Sequence, residues 1–151
     1  MSEPPSLPPS PQGDATLTVD TSRWPLVLLT FSGKPTDQQV ADHLKEIEER
    51  VLGRRERFVQ IVDQRRGEPP DAVQRALIAE HQKEMEHVYR RCCLGEAYVV
   101  SPETQRAMVA VFWMAKPLYP YTFLESLGEA IEWAQQKLKE AGSGEVDKAS
   151  S

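Results

Sequence analysis

With 151 residues, 18 basic and 23 acidic side chains, a net charge of −5 and 40% hydrophobic residues, the chain has the length and composition of one domain built on one core. That balance excludes disorder over the whole length. The dispersal of Lys and Arg among acids also argues against nucleic-acid binding, which needs clustered positive charge.

Cys92 and Cys93 are adjacent and neighbouring thiols rarely reach disulfide geometry, so no disulfide framework is expected. No basic segment followed by an apolar core opens the sequence, and no apolar run approaches the roughly 18 residues of a membrane span. A soluble, reduced, cytoplasmic protein without an integral membrane segment is expected.

Residues 1–14 carry Pro4, Pro5, Pro8, Pro9 and Pro11 among small polar residues and read as a disordered, polyproline-like tail. The PxxP spacings within it read as a solvated leader rather than a recognition motif. Leu17 and Val19 alternate in a short strand, the TSRW segment turns the chain, and Leu26 to Phe31 form a longer strand buried on both faces. Thr36 and Gln39 make a capping box for a first helix, whose stripe is Val40, Leu44, Ile47 and Val51 and which Gly53 stops. His43 falls beside that stripe and reads as a solvated surface residue.

The stretch RFVQIVDQRRG, residues 57–67, organises the rest. Phe58, Val59, Ile61 and Val62, interrupted by Gln60 alone, describe a central strand buried on both faces, ending in charged Asp63, Arg65 and Arg66. In open α/β sheets ligands and partners meet the loops beyond the carboxyl ends of strands, which makes this edge the default site.

Asp71 caps a second helix expected to run unbroken to about Arg91, with Val73, Leu77, Met85 and Val88 as its apolar face and His81 within that series. A histidine on a buried stripe needs a hydrogen-bond partner or stays neutral. Glu80, His81, Glu84 and His87 do not make a metal site, because the histidines lie six apart rather than four. Neither thiol is linked by a motif to a base, so Cys92 and Cys93 read as structural.

A strand over Leu94 to Val100 is followed by a helix start at Ser101, Pro102 and Glu103. The body of that helix, with Met108, Phe112 and Trp113, is apolar enough to be wedged between layers or to face a partner. Tyr121 to Phe123 form a short last strand. Ser126 and Glu129 cap a final helix with Leu127, Ala130, Ile131, Ala134 and Leu138 on its apolar face, and residues 141–151 read as a second disordered tail.

The alternation predicts a single α/β domain over 15–140, with a mixed, mostly parallel sheet of four to five strands and four helices. This order, together with Phe58 to Asp63, Gly95 to Ser101 and the closing FLESLGEAIEWAQQKL, resembles the SpoIIAA-like, or STAS, family. Antagonists of anti-sigma factors in that family carry a phosphorylatable Ser or Thr two residues beyond the aspartate that ends the central strand. Asp63 matches the aspartate, but Arg65 stands at the second position, so the phosphoryl switch is not carried over.

What the resemblance implies is a non-enzymatic regulatory module that docks a protein through the loop after its central strand, without cofactor or metal. Asp63, Arg65 and Arg66, with Arg75 beyond them, are the expected partner-binding residues. The partner would be acidic or phosphorylated, since guanidinium groups bond such groups bidentately. The alternative is a carrier of a small apolar or lipid-like ligand, as related folds are, with a pocket at His81, Met108, Phe112 and Trp113. An enzyme would need Asp63, Arg75 and His81 to converge on a cleft; glycine-rich phosphate loops and GxSxG are absent.

Overall fold

The computed structural model describes residues 15–106, 108 and 117–150, of which 143–150 are described as backbone alone. Five strands follow one another across the sheet in chain order: β1 (Thr16–Arg23), β2 (Leu26–Gly33), β3 (Phe58–Gly67), β4 (Cys93–Val99) and β5 (Tyr121–Leu124). β1 and β2 form an antiparallel hairpin and every later pairing is parallel. β3 is therefore the middle strand, as its apolar run predicts.

The hairpin needs only a tight turn at its tip, whereas each parallel pairing needs a crossover, and helices supply them. α1 (Asp37–Arg50) starts at the expected box: the Gln39 amide donates to Thr36 Oγ1 at 3.1 Å and the Thr36 amide to Gln39 Oε1 at 2.8 Å. A 3-10 turn at Leu52–Arg54 then leads into Arg55, which takes a left-handed φ of 55°.

The single helix expected between Asp71 and Arg91 is two: α2 (Ala72–Glu84), capped by Asp71, and α3 (Glu86–Cys92), separated at Met85. α2 packs on α1, while α3 packs on the 3-10 turn and β4, and the break lets the two segments meet different neighbours. No Pro or Gly marks it in the sequence. Nor is Val73 on the buried face, being 56% exposed; the face of α2 turned inward carries Gln74 and His81, with Leu77 and Ile78 half-buried.

α4 has described residues 102–106 and 108, and α5 (Leu127–Ser150) closes the fold, running on as helix through 141–150 where the sequence suggested a tail. The described residues thus form five α-helices against the four expected, the extra one arising from the break at Met85.

Side chains alternate across the sheet and divide the core in two. On one face Val59, Ile61, Ala97 and Val99 pack against Ala130 and Ala134 of α5. On the other, Val27, Leu29, Phe58, Val62, Tyr98 and Val100 meet Ile47 of α1, Val51 just after it, and Val88, Tyr89 and Cys92 of α3. Trp133 lies so close over Gly95 that a Cβ there would sit 2.7 Å from its ring. The tryptophan of the EAxxW ending thereby locks α5 onto β4.

Candidate ligand cavity

Strand order in this sheet never reverses, so there is no switch-point crevice at the carboxyl ends of the strands. A hollow lies instead between the sheet and the α1–α2 layer, a cavity of about 260 Å³. Leu29, Phe31 and Val62 form its floor, Val40, Leu44, Ile47 and Ile78 its helical walls, and Met108, Leu118 and Tyr119 one side.

Polar side chains enter this apolar space from strands that are otherwise hydrophobic. Gln60 on β3 and Glu96 on β4 occupy registered positions, both point to the helical face, and are 2% and 3% exposed. Glu96 accepts hydrogen bonds from Gln60 Nε2, from the Tyr98 hydroxyl and, at 2.8 Å, from the Tyr119 hydroxyl. Burial raises the pKa of this carboxyl above its usual range, and the three donors act in the opposite sense without cancelling the effect. The Glu96 charge in turn pushes up the buried hydroxyls of Tyr89, Tyr98 and Tyr119, already raised by desolvation.

His81, the candidate singled out on α2, lines the cavity and is fully partnered. Its Nδ1 lies 2.8 Å from Glu48 Oε2 and its Nε2 2.6 Å from the Tyr89 hydroxyl. A carboxylate can only accept, so in the neutral ring Nδ1 carries the proton and Nε2 accepts from Tyr89. This is the satisfied core histidine that the burial argument requires.

His43 is the opposite case and corrects the expectation of a solvated residue. It is 4% exposed, lines the cavity and packs edge-on against Phe31 with ring centroids 4.9 Å apart. Neither ring nitrogen has a hydrogen-bond partner among the described residues, and the same is true of Gln60 Oε1. Desolvation, with the nearby His81 acting in the same sense, lowers the pKa of His43 to about 4, so the ring is neutral at pH 7.

The charged edge differs from the loop anticipated. β3 continues through it to Gly67, pairing Thr30 with Asp63 and Ser32 with Arg66, and the register shifts between those pairs. Asp63 pins this irregularity: its Oδ1 accepts the Arg65 backbone amide at 3.2 Å and Nε at 2.9 Å, and its Oδ2 accepts Nη2 at 2.8 Å. The Arg65 bond is the main cause holding the Asp63 carboxyl below its usual pKa.

Arg66 is exposed, and Arg75 lines the cavity while its Nη1 donates to the Pro70 carbonyl at 3.0 Å. Asp63, Arg75 and His81 therefore do not converge: the last two border the cavity and Asp63 is committed to Arg65. Of the expected pocket residues, His81 and Met108 line the cavity, and Phe112 and Trp113 lie outside the described residues.

Both cysteines are buried and free, and burial pushes the Cys93 thiol well up, away from nucleophilic character. Among the described residues no group of His, Cys, Asp or Glu could hold a metal, and no helix is long and apolar enough to cross a membrane.

No protein-family model matches this chain, and no curated protein does. Among solved structures, an uncharacterised protein of the DUF3478 family with a SpoIIAA-like fold, from Shewanella loihica, superposes with a TM-score of 0.56 over 80% of this chain and 93% of its own, at 15% sequence identity. The fold is SpoIIAA-like.

Sequence reading missed Gln60, Glu96, Tyr98, Tyr119 and His43 as a site. The signal was present in the first two, since a polar residue inside a strand buried on both faces must be satisfied by something.

Proposed function

We propose that this protein binds a small apolar molecule in the cavity between its sheet and helices α1 and α2. The observation that carries this reading is a hollow of about 260 Å³ with mostly aliphatic and aromatic walls and a few convergent buried polar groups. Small-molecule sites have that character, and about 260 Å³ lies just under their usual lower bound of roughly 300 Å³. A cavity of roughly 150 Å³ accepts benzene, so by proportion this one suits about ten non-hydrogen atoms.

The protein-docking role expected at Asp63, Arg65 and Arg66 draws less support from the geometry, because the Arg65 fork is already occupied by Asp63. A bidentate contact to an acidic partner would first have to break that pair.

Native mass spectrometry of the chain purified without denaturation from its source cells tests the proposal. A mass excess of one small molecule, absent from an Ile78→Trp variant that fills the cavity, is the expected result. A bare polypeptide mass, together with failure to retain any apolar fluorescent probe, would defeat it.

A further inference from the structure

We infer that the cavity takes a small amphiphilic carboxylic acid, its apolar body enclosed between the sheet and α2 and its carboxylate held at the rim by Arg75. The inference rests on the cavity reading above and adds to it the chemistry and the position of the head.

The deep part of the cavity has little to offer a charged head. Glu96 is taken by Gln60, Tyr98 and Tyr119, and His81 by Glu48 and Tyr89. Burying an isolated charge among apolar walls costs far more than leaving it in water. A ligand that carries a charge must keep it where the cavity opens, and the lining residues that are exposed mark that place: Glu68, Pro69, Arg75, Pro117 and Tyr121 among them.

Arg75 is the one Lys or Arg among the described residues that line the cavity. Its guanidinium is held at the rim, because Nη1 donates at 3.0 Å to the carbonyl of Pro70, itself a lining residue. No carboxylate among the described residues pairs with it, in contrast to Arg65, whose fork Asp63 occupies. Fixing Nη1 leaves the Nε–Nη2 edge to a ligand, and that planar edge receives a carboxylate through two parallel, charge-assisted bonds.

Glu68 is the counterweight, since it shares the rim and repels an anion. Asp37 and Asp71, also near the start of α2, are turned to Gln74. A direct bidentate bond outweighs a repulsion that acts through water and is screened by salt.

The test is calorimetric titration of the full chain with octanoate, octan-1-ol and octylammonium, probes of nearly equal size that differ in the charge of the head. Arg75→Gln removes the charge from an exposed side chain and should weaken octanoate about fivefold, the upper end for an exposed charge contact. Octan-1-ol should stay within about twofold, and octylammonium should gain. Glu68→Gln should move octanoate the other way, toward tighter binding. Roughly 0.5 M sodium chloride should remove most of the octanoate increment in the wild type.

Octanoate binding unchanged in Arg75→Gln, or all three probes weakened alike, would overturn the head-group inference and leave the cavity reading standing. A wild-type preference for octylammonium would also overturn it, by giving the rim to Glu68. Failure of every probe to bind would remove both.

Discussion

His43 offers the sharpest test of the buried polar layer. Its pKa is 6.5 in the unfolded chain and about 4 in the folded one, so between those values the unfolded chain holds a proton that the folded protein lacks. Stability must therefore rise with pH across that window and fall as the solution is acidified. At about 1.4 kcal/mol per pH unit the full interval is worth ~3 kcal/mol. That is a large share of the roughly 5–15 kcal/mol typical of a domain, and equivalent to a Tm change on the order of 10 °C.

The perturbation is His43→Leu, which fits the apolar contact with Phe31 and removes both unpartnered nitrogens. At pH 7 the variant is expected to be as stable as the wild type or more so by about 1–3 kcal/mol, since unpaired buried polar atoms are lost. Its margin over the wild type should then widen by ~3 kcal/mol on going from pH 7 to pH 4. Urea unfolding at half-unit steps of pH measures both curves. Neighbours such as Glu46 and His81 are common to the two proteins and largely cancel in the difference. A margin that stays flat across the window, or a variant less stable than the wild type at every pH, would refute the burial argument for this residue.

Other consequences can be checked with single substitutions. Glu96→Gln should remove a contribution of opposite sign: the raised pKa of Glu96 means the folded protein holds a proton longer, so stability from this group falls as pH rises above about 4.5, and the variant should lose that fall in the same urea series. Tyr119→Phe, which deletes one of the donors to Glu96, should destabilise by about 1–2 kcal/mol and push the Glu96 pKa further up, read by carboxyl chemical shifts against pH. Gly95→Ala drives a methyl into Trp133 and should cost about 1–3 kcal/mol, with a shift in tryptophan emission as the ring moves. Arg65→Ala frees Asp63, whose carboxyl should titrate closer to 3.8; the stability that pairing gives lies above that value and is lost as pH falls through the depressed pKa.

Much of the fold could be read from periodicity, because the strands β2, β3 and β4 announce themselves as apolar runs and the caps at Thr36, Asp71 and Ser126 are local chemistry. The break at Met85 could not, since it answers to where α1 and β4 lie rather than to any residue in its own segment. The site was legible in fragments. His81 drew notice for sitting on an apolar stripe, and Gln60 for interrupting an apolar strand, but their common cavity depends on neighbours thirty or more residues away. Glu48 lies 33 positions before His81 and Glu96 lies 36 after Gln60. Charge misled the reading at Arg65 for a related reason: two residues from Asp63 on the strand, it is drawn back to its own chain.

The sheet separates two kinds of tolerance. Behind it, Ala130 and Ala134 of α5 pack against Val59, Ile61, Ala97 and Val99 of the sheet, and substitutions there should register as changes in folding. In front, volume is left over and tyrosines, glutamines and acids share it, so exchanges at Leu44 or Ile78 could retune what the molecule recognises while the scaffold endures. Selection acting on this architecture would find the freedom to change its specificity on one side and almost none on the other.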